Sequence, residues 1–439
     1  MKILCSLLAV IFSVLACKTL GKAEGRKARD KSITAESPSG STDMANLVLG
    51  LNDTSFKIYG NMVQSPKAST QNLFISPMSV SLALGMTYLG ARAGTEAEMA
   101  KALSIPGKSD AIGPAYASLL QRLKGTKSAD GYELAIANSV WAQQDFGFTK
   151  DYLSQVKTHF ASEVRLKNFK DGEARSKAID EINQWALDNT NQKIDGIVDS
   201  ASVGEDTRAI LANAVYFLGD WVHPFPAQET AQKTPMTFSR LDKTEVKVEQ
   251  MSDKWSVRYA EVEGAKLIEL PYKSKEDPAA SKFSMVLVLP EKKTSLIDFE
   301  KGLTADKWNK MLEAMLPVKV IVNLPKWELH SDLMKLKEPL KQLGMVAAFD
   351  DGGGADFSGM TGKRDLYINE VLHKTFIRVD ELGTEAAAVT AVSMFEVSSA
   401  AIVEPKTFIA DRPFVYAIRE INSGAILFIG RVVDPSLKK

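Results

Sequence analysis

Two cysteines, Cys5 and Cys17, are all that the 439-residue sequence contains, and both fall in its first seventeen positions. A disulfide framework is thereby excluded for the bulk of the chain, whose stability has to come from burial. Excess charge of one sign is missing too, since 54 basic side chains offset 54 acidic ones. Without a broad positive field to neutralise phosphates, nucleic acid is not an expected partner. Histidine is scarce: His159, His223, His330 and His373 stand far apart, and none falls in a metal-binding spacing. There is no G-x-S-x-G elbow, and no carboxylate pair is flanked like a glycosidase acid and base. Gly352-Gly353-Gly354 lacks the Lys-Ser/Thr of a phosphate loop and sits between Asp351 and Asp356, whose charge would repel phosphate. It reads as a plain loop. The chain is therefore expected to be no enzyme, and to need no metal or cofactor.

What is there begins with Lys2 and an apolar run from Ile3 to Ala16, too short to span roughly 30 Å of hydrocarbon as a helix. It reads as an export signal over residues 1–16. The ending Val14-Leu15-Ala16-Cys17 resembles the cleavage box of bacterial lipoproteins, which implies that Cys17 is lipidated and opens the mature chain. Cleavage near Ala16 or Ala23 without lipid is the alternative. The expected address is the cell envelope or surface through a lipid anchor, or otherwise the extracellular medium. From Lys18 the chain is rich in Lys, Arg, Ser and Gly with hardly a large apolar residue, so 17–43 reads as a flexible tether with an end-to-end distance of roughly 25–30 Å. Its basic residues Arg26, Lys27, Arg29 and Lys31 read as a solvated run, with contact to anionic lipid as the alternative.

Length alone favours two or three domains, but after Met44 no linker-like stretch and no internal repeat interrupts the pattern. One domain over 44–439 is expected, and 45% hydrophobic residues suffice for a large core. Apolar spacing predicts helices over Met44 to Gln64, Met78 to Leu89 (with Ser76-Pro77 as cap and first turn) and Arg175 to Thr190. Strands are predicted for Leu134 to Trp141, Arg208 to Phe217, Lys282 to Leu289, Val318 to Leu324, Leu366 to Val371 and Ala425 to Val433. Helices early and strands later give an α+β class with large, mostly antiparallel sheets.

One stretch stands apart. Gly383 to Val392 is a run of small and β-branched residues, and Ser393 to Ala401 follows it. It is a poor helix, because Thr and Val interrupt it and no stripe appears. Read as extended, Thr384, Ala386, Ala388, Thr390, Val392 and Met394 share one face, small enough at the leading end to slip between strands, while Glu385 faces solvent.

This stretch and its flanks resemble the serpin family of protease inhibitors. Asn72-Leu73-Phe74-Ile75-Ser76-Pro77-Met78-Ser79 is similar to the family's early helix motif. Asn213-Ala214-Val215-Tyr216-Phe217-Leu218-Gly219-Asp220-Trp221 is similar to its central strand, and His373 through Ala388 to the strand and hinge before its reactive loop. Arg412-Pro413-Phe414 and Leu427 to Val432 are similar to its C-terminal strands. The blocks keep order and spacing from about residue 44 to 435.

The resemblance implies a serpin domain with an exposed reactive-centre loop at about 383–405 and a hinge of Gly383, Thr384, Glu385, Ala386, Ala387, Ala388 and Val389. It implies a hydrogen-bonding cluster of Ser76, Ser79, Asn213 and His373 that governs sheet opening, and gives Trp221 a place where the loop enters the sheet. Counting along the loop in the family register sets the reactive bond at Val397-Ser398, with cleavage after Phe395, Glu396 or Ser398 left open. The implied partner is a serine protease, or also a cysteine protease, held as a covalent acyl complex by a monomeric inhibitor. No Lys or Arg lies between Thr384 and Pro405, so a trypsin-like pocket with its buried carboxylate finds no partner. Elastase-like or chymotrypsin-like targets are expected. A serpin-fold binding protein, or a plain protease substrate, is the alternative.

Overall fold

The computed structural model describes residues 39–65, 70–123, 131–227, 234–274, 281–384 and 404–437. The signal at 1–16, Cys17, most of the tether and the loop from 385 to 403 lie outside them. Helices α1 (Ser39–Val63), α2 (Pro77–Tyr88), α3 (Ala93–Ala102), α4 (Gly113–Leu123), α5 (Lys150–Phe160) and α6 (Gly172–Asn189) fall in the first half of the chain. Helix α1 starts inside the stretch assigned to the tether, five residues before Met44. The reason is compositional: Ser, Thr and Asp, read as tether residues, are also those favoured where helices begin. Helix α2 is buried along its whole length. The Ser76 side chain caps it by accepting the Ser79 backbone N–H at 3.3 Å, and Pro77 occupies the first turn.

Among the described residues the strands, numbered along the chain, form two large sheets and a hairpin. The first sheet runs β11 (Trp327–His330), β13 (Glu370–Val379), β14 (Gly383–Thr384), β4 (Ala209–Asp220), β2 (Tyr132–Gln143) and β3 (Val164–Lys167), with β12 (Met334–Lys335) also on β13. The second runs β1 (Leu73–Ile75), β17 (Ile426–Val432), β16 (Phe414–Glu420), β9 (Phe283–Pro290), β8 (Ala265–Pro271), β7 (Gln250–Val262), β10 (Leu316–Pro325) and β15 (Lys406–Ile409). The hairpin pairs β5 (Met236–Ser239) with β6 (Glu245–Val248). Pairing is antiparallel except at β2–β3, β4–β13 and β10–β15.

The first sheet is covered on both faces, which explains why β4 reads as a continuous apolar run. Its Leu211, Val215 and Phe217 join the main core, and Ile210, Ala212 and Ala214 join a second core with Ala178, Ile182 and Ala186 of α6. The strand expected at Leu366 to Val371 is displaced: β13 begins only at Glu370. Leu366 and Ile368 are buried as predicted, but in a connecting segment whose Ile368 N–H binds the Ala348 carbonyl, so their alternation reports burial without a ladder. At the glycine run, the Asp350 carboxylate takes the Gly352 and Gly354 N–H groups at 2.9 and 3.0 Å, occupying the donors a phosphate would need. No helix among the described residues is long and apolar enough to cross a membrane.

Candidate functional site

Strands β4 and β13 lie side by side and parallel, with Cα partners from Glu370↔Ile210 to Thr375↔Val215. In that register His373 is directly opposite Asn213, and Asn213 is opposite Asn138 of β2. Three polar side chains thus cross the sheet in a row and face α2. The His373 Nε2 accepts the Ser76 backbone N–H at 3.0 Å. That acceptor role leaves the proton on Nδ1, which donates to Asn213 Oδ1 at 2.7 Å. Asn213 Nδ2 in turn donates to Ser79 Oγ and Asn138 Oδ1. Ser76 Oγ donates to the Leu427 carbonyl at 2.7 Å, and Thr375 Oγ1 to the Phe74 carbonyl at 2.6 Å, so the row is bolted to the second sheet's strands β1 and β17. His373 is fully buried, and desolvation pushes its pKa down to about 3. A neutral, fully bonded imidazole of this kind is a structural fastener, not a catalytic base.

At the upper end of the same two strands the arrangement changes. After β13 the chain turns through Asp380–Leu382, closed by the Asp380 N–H on the Gly383 carbonyl at 3.0 Å. It then comes back as β14 between its neighbours, with Thr384 antiparallel to Val379 on one side and to Gly219 on the other. Gly383 is required by contact: a Cβ there would lie 2.0 Å from the Gly219 carbonyl oxygen. Trp221 closes this end. Its ring stacks on Tyr272 at 4.6 Å, its Nε1 donates to the Asp380 carbonyl at 3.1 Å, and its backbone N–H donates to the Leu382 carbonyl at 2.8 Å. The Lys326 ammonium reaches Glu381 at 2.7 Å and Glu249 at 2.8 Å. Burial alone would lower its pKa, but the two carboxylates outweigh that and hold it above the ordinary lysine value.

Ser76, Ser79, Asn213 and His373, which the family resemblance grouped, meet in one hydrogen-bonded group, and Trp221 stands beside the first hinge residues. The expected exposed loop is corrected at its start: Gly383 and Thr384 are buried strand residues, because the glycine pair at 383 and 219 lets the backbone wedge between two strands. Glu385, Ala386, Ala387, Ala388, Val389, Val397 and Ser398 fall outside the described residues. Sequence reasoning missed Asn138, Tyr272 and Lys326. An asparagine in the middle of the strand expected at Leu134 to Trp141 was the one available sign of Asn138; for the other two the partner is fixed only by tertiary register. Among the described residues no group of His, Cys, Asp and Glu is set to hold a metal.

A buried polar row thus crosses β13, β4 and β2, and beyond it the chain returns as a short strand between β13 and β4. Comparison with known proteins identifies the family. The family profile described as Serpin (serine protease inhibitor) matches residues 49–435. The chain belongs to the serpin family. It is 34% identical over 396 residues to the leukocyte elastase inhibitor of Xenopus tropicalis, covering 89% of this chain and all of that one. It is also 34% identical over 390 residues to human serpin B3, covering 85% and 96%. Among solved structures it resembles the thermophilic serpin tengpin in its native state, with a TM-score of 0.76, 31% identity and coverage of 88% and 94%. Native protease nexin-1 with heparin gives a TM-score of 0.75 at 29% identity, covering 90% and 100%. The fold is that of serpins, α+β in a single domain, and the family's members are protease inhibitors, not enzymes.

Proposed function

We propose that this serpin inhibits serine endopeptidases as a suicide substrate, its loop being cut at Val397-Ser398 and drawn into the first sheet while the acyl-enzyme is still attached. The observation that carries this reading is the seating of Gly383 and Thr384 between β13 and β4. In an antiparallel ladder one step forward on a strand is one step back on its partner. Continuing from Thr384 would set Ala386 beside Ile377 and Phe217, Ala388 beside Thr375 and Val215, and Thr390 between His373 and Asn213. Small residues would thus meet the bulky flanks, and a hydroxyl would arrive where the His373–Asn213 hydrogen bond is broken. Insertion replaces one parallel ladder by two antiparallel ones. A strand of about 12 residues carries its attached protease on the order of 40 Å, and displacement of catalytic groups by far less stalls deacylation.

The lack of Lys or Arg from 385 to 404 supports an elastase-like or chymotrypsin-like target. Relatives named leukocyte elastase inhibitor support the first. Mixing with pancreatic elastase is expected to give a complex that survives denaturant, with mass spectrometry of the released C-terminal peptide beginning at Ser398. Clean cleavage without a complex favours the plain-substrate alternative. The export reading completes the proposal: the protein leaves the cytoplasm and Cys17 carries lipid. Fatty-acid labelling lost in Cys17→Ser tests the anchor, and labelling that persists contradicts it.

A further inference from the structure

The seat that holds Thr384 is more particular than a gap between strands requires. Thr384 is 1% exposed, and its Oγ1 lies 2.7 Å from the hydroxyl of Tyr272, itself fully buried. The Tyr272 ring is clamped between Trp221, stacked at 4.6 Å, and Phe217, edge-on at 4.8 Å. Gly219, directly opposite Thr384, leaves room for that ring, since a Cβ there would come within 2.6 Å of Tyr272 Cδ1. Among the described residues Thr384 is the hydrogen-bond partner of the phenol, so an apolar residue at 384 would strand a buried hydroxyl. The backbone of residue 272 is fixed independently, by its N–H on the Phe283 carbonyl at 2.9 Å.

We propose that Tyr272 is a positioning residue for loop insertion: its hydroxyl, by bonding that of Thr384, seats the first two loop residues before any protease arrives. The new strand then lengthens from a formed start and does not have to nucleate. Trapping is a race between insertion and deacylation, so the seat sets how many cleaved molecules end as complexes and how many are released as spent substrate. The inference rests on the trapping reading proposed above and adds a residue to it.

The test titrates pancreatic elastase with wild type, Tyr272→Phe, Thr384→Val and the double variant. The number of inhibitor molecules consumed per enzyme trapped is expected to rise about twofold to tenfold in each single variant, the rate equivalent of one lost hydrogen bond. The double variant should be no worse than either single one, because both remove the same bond, and Thr384→Ser should restore the ratio toward wild type. A lower melting temperature with unchanged ratio would mark Tyr272 as packing only and overturn the inference, as would multiplicative effects in the double variant. If wild type traps no protease, the trapping reading falls, and hydrogen exchange at the Thr384 amide then decides the seat separately. Slow exchange that speeds up in Tyr272→Phe supports it; equal exchange in the two overturns it.

Discussion

At Gly219 and Val379 the strands flanking the seam are held apart by β14, whereas at Asn213 and His373 the same strands pair directly through a buried hydrogen bond. The upper end is built of glycine, aromatic faces and a salt bridge; the middle is a closed polar row. The difference locates the resistance to opening. On the proposed reading, starting a new strand costs little where two residues already sit, but extending it requires breaking the His373–Asn213 hydrogen bond, whose donor and acceptor each cost about 1–3 kcal/mol until a loop residue replaces the lost partner. The proposed insertion would thus begin at one place along the seam and meet its resistance at another.

Breaking the upper end is expected to have the largest effect. Thr384→Arg would bury a guanidinium against Tyr272 and the Gly219 backbone, a penalty of several kcal/mol. The expected outcome is complete loss of denaturant-stable complex with normal cleavage, read by gel after mixing with elastase. Breaking the middle comes next. Asn213→Ala leaves the His373 Nδ1–H and the Ser79 and Asn138 side chains short of a partner. It is expected to cost about 2–3 kcal/mol in urea unfolding and to speed spontaneous loop insertion.

A pH series sharpens the same contrast. In the fold, burial keeps His373 neutral down to about pH 3, while in the unfolded chain a histidine titrates near 6.5. Between those values the unfolded chain binds the extra proton, so this stabilisation is complete above about 6.5 and is lost as pH falls, by up to about 1.4 kcal/mol per unit. Melting temperatures from pH 8 to 5 should therefore fall more steeply in wild type than in His373→Asn. The smallest effect is expected at the rim: Glu381→Gln removes the better-buried partner of Lys326 and should lower stability by about 0.5–1 kcal/mol. Glu249→Gln, mostly exposed, should cost about 0.3 kcal/mol or less, both read by thermal unfolding.

Much of the fold is written in local pattern. The Ser76-Pro77 start of α2 and the apolar run of β4 needed no partner to be read, because a cap and a twice-buried strand have signatures of their own. The site is different. That His373 faces Asn213 depends on the parallel register of two strands some 160 residues apart, and periodicity carries no register between distant strands. Only the family resemblance brought those residues together in advance. The seating of Thr384 on Tyr272 was illegible for the same reason, compounded by the fact that a run of small residues reads alike whether it lies in a loop or already in a sheet.

The most direct test of the proposed loop insertion is to nick the loop between 385 and 403 with a protease that is not held, and to follow heat unfolding and hydrogen exchange of β4 and β13. The nicked protein should melt well above the intact one, with added protection along the facing edges of both strands. Unchanged melting and exchange would mean that the cut loop does not enter the sheet, and the inhibitory account would fail.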